Sequence, residues 1–183
     1  MGMSYAMAAA ALLICAAALP AAAAPPRQSL DARIKALEDK ERIHDLIDEY
    51  NLLHNLEDWS ALSQLFAKNG ELRAFNQVVR GPAQVFTLLR EKMGQTPYDS
   101  MNVKGVLFNT SVLIIPTDAD HAKVESRWIY VVPGADNKPM PARTGRYEEQ
   151  VVREDGRWKL LVLYDPTDIP TGVLEPIDMP TAK

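Results

Sequence analysis

The chain has 183 residues, a net charge of −4 at pH 7 and a single cysteine, Cys15. Charges of both signs are interspersed along it and no basic patch occurs, which argues against nucleic acid as a partner. Because the one cysteine lies near the amino terminus, no disulfide, thiolate nucleophile or cysteine metal site is expected in the main part of the chain.

Residues 1–23 are predicted to be a secretory signal peptide. The first 24 residues contain no Asp, Glu, Lys or Arg, and an apolar run at 8–19 precedes Pro20 and a string of alanines. An apolar run followed by small residues is typical of a cleaved secretory signal. We therefore expect secretion to a bacterial periplasm, with no membrane attachment after cleavage. A retained membrane anchor is the less favoured alternative, since the run is short for a bilayer span.

Three helices are predicted in the first half of the mature chain. Residues 27–55 carry apolar side chains at three-four spacing, which indicates a long amphipathic helix. Asp58 is expected to cap a second helix that ends at Asn69-Gly70, where glycine supplies a left-handed stop. A short strand at 71–76 follows, and a third helix is expected from Gly81-Pro82 to Gly94.

The second half of the chain is predicted to form strands. Their expected bounds are 101–115, 122–132, 143–153 and 158–165, with a tight hairpin turn at 154–156. Helices first and antiparallel strands after them indicate an α+β fold. One domain is therefore predicted over residues 24–166, followed by a proline-rich tail at 167–183.

Both faces of the strand at 101–115 carry apolar residues. Strict alternation places Val106, Phe108, Val112 and Ile114 on one face and Val103, Leu107, Leu113 and Ile115 on the other. An antiparallel sheet with one wet face would alternate more cleanly. Helices can cover one face, and a second subunit is predicted to cover the outer face. The sequence thus predicts a homodimer or homotrimer.

A series of short motifs resembles a known family. The motifs, in chain order, are Tyr50, Asp58-Trp59, Leu65-Phe66-Ala67, Asn69-Gly70-Glu71, Asn109, Gly145-Arg146-Tyr147-Glu148 and Asp155-Gly156-Arg157-Trp158-Lys159. Their order over residues 30–165 resembles the SnoaL-like branch of the nuclear-transport-factor-2-like superfamily. The resemblance implies a cone-shaped barrel, in which a curved, mostly antiparallel sheet wraps a long first helix and two shorter helices complete the fold. Relatives include scytalone dehydratase, ketosteroid isomerase, polyketide cyclases, a dehydrochlorinase and binding modules.

The resemblance also implies where catalytic groups would stand. In the dehydratase and dehydrochlorinase relatives an Asp–His pair carries catalysis, and the corresponding positions here are Asn55 and Gly105. Neither residue can exchange a proton at neutral pH. His54 stands beside Asn55, one helical turn after Tyr50, and its imidazole titrates near neutral pH.

His54 is therefore interpreted as the catalytic acid or base, with Tyr50 and Asn55 holding the leaving oxygen. The structural alternatives are a helix-end histidine bonded to a backbone carbonyl, a core tyrosine and a helix-capping asparagine. Arg73 is predicted to stabilise developing negative charge, with a surface ion pair as its alternative.

Four further polar residues are predicted to contact a substrate: Asn109, Tyr147, Lys104 and Arg127. Asparagine is unfavourable in the middle of a strand, which favours a functional role for Asn109. The histidines lack the spacing of metal ligands, and the chain has no phosphate loop or dinucleotide fingerprint. Neither a metal nor an organic cofactor is therefore expected.

The sequence predicts a cofactor-independent lyase or isomerase that acts by proton transfer on a hydrophobic, aromatic or polycyclic small molecule. Dehydration, isomerisation and retro-aldol cleavage with release of formaldehyde are the reactions considered. The alternative is a non-catalytic small-molecule-binding or scaffold module that has lost the Asp–His pair. The small subunit of a ring-hydroxylating dioxygenase is disfavoured, because such complexes need cytoplasmic reductant.

Overall fold

The computed structural model describes residues 29–94, 105–134 and 138–169. The expected signal peptide and most of the expected tail lie outside these residues. No helix in the described part of the chain is long and apolar enough to cross a bilayer.

In the described part of the chain, three helices begin at or within a few residues of their predicted starts. Helix α1 spans Leu30–Leu56 and is capped by Ser29, whose side chain accepts a hydrogen bond from a backbone N–H three residues later. Helix α2 spans Trp59–Ser63 and Asp58 caps it in the same way. Helix α3 spans Gly81–Met93 and has proline in its first turn. These caps satisfy N–H groups that the helices leave without an internal partner.

The described residues form seven strands, two of which lie between α2 and α3 and five after α3. They are β1 (Phe66–Ala74), β2 (Gln77–Arg80), β3 (Val106–Pro116), β4 (His121–Pro133), β5 (Pro139–Glu154), β6 (Arg157–Tyr164) and β7 (Thr167–Ile169). The sheet runs in the order β2-β1-β6-β5-β4-β3, and β7 pairs with β5. Only β1 and β6 pair in parallel among these strands. The predicted α+β cone, with a curved sheet around a long amino-terminal helix, is confirmed; the sheet is mixed and does not close.

The predicted end of the second helix at residues 69–70 is wrong. Helix α2 stops at Ser63, and Gly70 lies inside β1. The pairing of β1 with β6 shifts register between Phe66 and Glu71, and a Cβ on Gly70 would lie 2.6 Å from the carbonyl oxygen of Leu160. Glycine is therefore needed here for a close approach of two strands, not for a helix stop.

The short strand predicted at 71–76 is part of a hairpin. Strand β1 begins earlier, at Phe66, and pairs with β2, which was not predicted. Phe75 and Asn76 form the two-residue turn of the hairpin, with φ angles of 54° and 58°. Positive φ at both central positions is the geometry of a type I′ turn, which matches the twist of the flanking strands.

The predicted faces of β3 are wrong beyond residue 110. The register with β4 shifts between Thr110 and Leu113, and Ser111 has a φ of 55°. Such a bulge adds one residue to the strand and reverses the alternation after it. Leu107 and Ile114 are consequently both buried. The exposed apolar residues of the strand are Val106, Phe108, Leu113 and Ile115.

The core lies between α1 and the concave face of the sheet. Ile43, Ile47 and Tyr50 of α1 are buried, whereas Leu30 and Leu37 near its start are exposed. Only the carboxyl-terminal half of α1 is therefore enclosed. Its last turn brings polar side chains to the interior of the cone.

Candidate functional site

A cavity of about 540 Å³ lies between the end of α1, the β1–β2 hairpin, α3 and the inner face of the sheet. Its apolar wall is contributed by Leu72, Leu89, Met93 and Leu107. Its polar side chains include Tyr50, His54, Arg143, Tyr147 and Asp165. A mostly apolar cavity of this size with a few convergent polar groups is typical of small-molecule sites.

His54 lies in the last turn of α1 and lines the cavity. Its ring packs edge-on against Trp59, with 5.4 Å between ring centroids, and Nδ1 is buried without a hydrogen-bond partner among the described residues. Burial, together with the charge of Arg143, lowers the pKa of His54 to about 4. The imidazole is therefore neutral at pH 7 and offers a hydrogen-bond acceptor.

Asp165 directly follows β6 and also lines the cavity. The indole N–H of Trp128 donates a hydrogen bond of 2.9 Å to its carboxyl group. Burial raises the pKa of Asp165 to about 6, although the Trp128 hydrogen bond and the charge of Arg143 oppose the shift. A carboxyl group with such a pKa both takes up and releases protons near neutral pH.

Tyr50 and Tyr147 form a pair of buried phenols beside this carboxyl. Their ring centroids are 5.7 Å apart in an edge-on arrangement. Burial and the nearby charge of Asp165 raise the pKa of Tyr50, and burial likewise raises that of Tyr147. Both phenols therefore stay protonated and can donate to an oxygen atom in the cavity.

Asn55 is held by the backbone of β3. Its side-chain amide donates to the carbonyl oxygen of Leu107 at 2.9 Å and accepts from the N–H of the same residue at 2.8 Å. The residue is not among those that line the cavity. The predicted contact of Asn55 with a leaving oxygen thus has no support from its position.

The ring of Tyr130 occupies the space above Gly105. A Cβ built on Gly105 would lie 2.2 Å from Cζ of that ring. The guanidinium of Arg143 lies over the same ring, 5.3 Å from its centroid. The ring of Tyr130 therefore fills the space where the family resemblance places a histidine side chain.

Comparison with known families matches residues 35–163 to the SnoaL-like domain. The chain belongs to the SnoaL-like family. No curated protein sequence matches it significantly.

Solved structures share the fold of this SnoaL-like domain. An NTF2-like protein with a cystatin-like fold from Novosphingobium aromaticivorans matches with a TM-score of 0.65 and 23% identity, over 74% of this chain and 86% of that one. A candidate scytalone dehydratase from the same organism matches with a TM-score of 0.62 and 20% identity, over 78% of this chain and 99% of that one. LinA matches with a TM-score of 0.65 and 14% identity, over 79% of this chain and 97% of that one. At such identities the likeness establishes the fold and leaves the activity to the site.

Arg73 lies at the rim of the cavity of the SnoaL-like domain. It forms an ion pair with Glu71, whose other oxygen accepts from Arg80 at 2.9 Å. The hydrogen bond from Arg73, partly opposed by burial, lowers the pKa of Glu71. The charge of Arg73 is thus partly compensated by a carboxylate that it shares with a second arginine.

The other predicted substrate contacts are placed as follows. Tyr147 lines the cavity, whereas Asn109 and Arg127 are not among its lining residues. Asn109 accepts a hydrogen bond from the N–H of Thr110, and Arg127 forms a 2.8 Å ion pair with Asp168. Lys104 lies outside the described residues. The described chain contains no cluster of three side chains that could hold a metal ion.

Asp165, Arg143 and Trp128 were assigned no catalytic or binding role from the sequence. One signal for Asp165 was available, since a carboxylate directly after an apolar strand and before a proline is placed at a sheet end. Arg143 and Trp128 carry no such local signal, because only strand pairing brings them beside α1.

Proposed function

We propose that this SnoaL-like domain is a cofactor-independent lyase or isomerase that moves a proton on a hydrophobic, aromatic or polycyclic small molecule. The observation that carries the proposal is the meeting of Asp165, with a pKa of about 6, and neutral His54 in one largely apolar cavity. Titratable groups whose pKa values are strongly shifted by burial in one cavity are typical of acid–base sites.

Asp165 is the proton carrier in this proposal. In its ionised form the carboxylate removes a proton from a carbon next to a carbonyl group, and the electron pair moves onto the carbonyl oxygen. The protonated carboxyl then returns the proton, either to another carbon in an isomerisation or to a departing hydroxyl oxygen in a dehydration. In this proposal Tyr50 and Tyr147 donate hydrogen bonds to the oxygen on which negative charge develops.

His54 has a supporting part. An imidazole with a pKa of about 4 is a weak base at neutral pH, so we assign it the role of accepting a hydrogen bond from a substrate hydroxyl. This assignment differs from the prediction that His54 is the principal acid or base.

The test compares Asp165→Asn with Asp168→Asn. Asp168 lies on β7, and its carboxylate forms ion pairs with Arg127 and Arg146. Turnover is measured by mass spectrometry on a panel of aromatic hydroxyketones, diaryl diols and cyclic enones. We expect Asp165→Asn to lower kcat by about 100-fold or more, and Asp168→Asn to leave it largely unchanged. For the unsubstituted protein, kcat/KM should rise as pH increases through about 6. Equal turnover in the two variants would contradict the proposal.

A non-catalytic binding module is the second candidate. It is favoured by the residues at the two positions of the family's Asp–His pair, which are Asn55 and Gly105. The amide of Asn55 is hydrogen-bonded to the backbone of Leu107, and the ring of Tyr130 covers Gly105. In that case members of the panel would raise the melting temperature by an amount that grows with ligand concentration, and no product would form. Formation of product that depends on Asp165 would exclude this candidate.

A further inference from the structure

Arg143 is a cation on the wall of the cavity. It lies on β5 opposite Tyr130 of β4, and its guanidinium is 5.3 Å from the centroid of that ring. Stacking on an aromatic ring holds a guanidinium in a defined plane while leaving its N–H groups available. The group is therefore oriented before any ligand enters.

The charge of Arg143 is compensated differently from that of most other strand arginines. Five of them have a carboxylate within 4 Å: Arg73, Arg80, Arg127, Arg146 and Arg153. Within the described part of the chain, no carboxylate forms such an ion pair with Arg143. The charge of Arg143 lowers the pKa of Asp165 slightly against the effect of burial. The carboxyl group of Asp165, however, accepts a hydrogen bond from Trp128.

A half-buried guanidinium on the wall of a cavity favours an anionic partner, because removing a charge from water without one is costly. The planar fork of N–H groups fits a carboxylate through two parallel hydrogen bonds. The apolar wall formed by Leu72, Leu89 and Met93 suits a hydrophobic body on the same molecule.

We propose that the ligand of this cavity is a hydrophobic organic acid whose carboxylate binds Arg143. This acid would be the substrate of the proposed lyase or isomerase, so its role as a substrate rests on the proposed function. The carboxylate anchors one end of the molecule at β5. The opposite end then extends along the apolar wall, and its reacting carbon comes within reach of Asp165.

The experiment uses a matched pair of probes, 2-naphthoate and the uncharged 2-naphthamide, with affinity measured by isothermal titration calorimetry at pH 7. The two molecules have nearly the same shape and differ in charge. A charge-assisted hydrogen bond corresponds to an affinity difference of about 10- to 100-fold, so we expect naphthoate to bind at least about tenfold more tightly. Arg143→Met should abolish that preference, whereas Arg73→Met should retain it because Glu71 already pairs with Arg73.

Equal affinity of the two probes for the unsubstituted protein would overturn the inference. So would a failure of naphthoate to bind at millimolar concentration, or a preference that survives Arg143→Met. The comparison of probes on the unsubstituted protein stands even if the Arg143 variant does not fold. An active enzyme without acid preference would overturn only this inference, and acid preference without turnover would overturn only the proposed function.

Discussion

The side-chain amide of Asn55 and the backbone of Leu107 are joined by two hydrogen bonds, of 2.9 and 2.8 Å, across 52 residues of sequence. One is donated by the amide and the other is accepted by it, so both polar backbone groups of Leu107 are satisfied by a single side chain. The end of α1 is thereby fixed to β3. Because Tyr50 and His54 lie in the same last turns, this link also positions the cavity's polar groups.

Replacing Asn55 with Ala should therefore reduce stability. Two partly buried backbone groups would lose their partner, and each such loss costs about 1–3 kcal/mol. Urea unfolding measures the change. Asn51→Ala is the matched control, since Asn51 bonds only to the carbonyl of Ile47 within its own helix. A large loss of turnover in Asn55→Ala without loss of stability would instead support the catalytic role predicted from the sequence.

Gly105→Ala should disturb the ring of Tyr130. A methyl group at 2.2 Å from the ring forces it to move, and overpacking of this kind costs about 1–3 kcal/mol. Thermal unfolding of a double-mutant cycle provides the measurement. In a Tyr130→Ala background the same Gly105→Ala change should cost almost nothing, since the ring is absent. Equal costs in both backgrounds would show that the ring does not limit this position.

Glu149 should make stability depend on pH. Its side chain is buried on the inner face of β5, and burial raises its pKa to about 8 from an ordinary value near 4.5. Between these two values the unfolded chain has released a proton that the folded protein retains. The contribution of Glu149 to stability is therefore fully present below about pH 4.5 and is lost as pH rises towards 8.

Glu149→Gln removes the ionisable group and should flatten this dependence. Because each pKa unit corresponds to about 1.4 kcal/mol, the variant should be more stable than the unsubstituted protein by a few kcal/mol at pH 8.5 and similar to it at pH 4.5. Glu148→Gln is the control, because Glu148 is exposed and pairs with Arg146. An equal effect of both substitutions would argue against a special environment for Glu149.

The outer face of the sheet should mediate self-association. Val106, Phe108, Leu113, Ile115 and Ile129 are between 37% and 53% exposed on β3 and β4, and β3 is an edge strand. A contiguous apolar patch of this kind is typical of a protein interface. We propose that a second copy covers it. Phe108→Glu should then shift the mass measured by light scattering towards the monomer, whereas Leu52→Glu on α1 should not; a monomeric unsubstituted protein would contradict the proposal.

Much of the fold was predictable because its signals are local. The three-four spacing in α1, the cap at Asp58 and the proline in the first turn of α3 each depend on neighbouring residues only. The hairpin turn at 154–156 also forms where the sequence predicted it, with Gly156 at a φ of 78°. Local propensity and hydrophobic pattern agree at these places, which makes them predictable.

The errors arise where distant strands decide the outcome. The bulge at Ser111 and the close approach at Gly70 depend on partners in β4 and β6. The turn at 75–76 contains no glycine, so it lacked the usual composition of a type I′ turn. The residues of the candidate site could likewise be predicted only where local sequence places them. His54, Tyr50 and Tyr147 were predicted, whereas Asp165 and Arg143 reach the cavity only through the pairing of β4, β5 and β6.

The hydrogen bond from Trp128 to Asp165 gives the protein an optical reporter of its own. Indole emission responds to charge and hydrogen bonding at the ring, and here the bonded group is the carboxyl that titrates near pH 6. We therefore expect emission from Trp128 to change as Asp165 gains or loses its proton. A molecule that enters and changes the ionisation of Asp165 would be visible in the same signal.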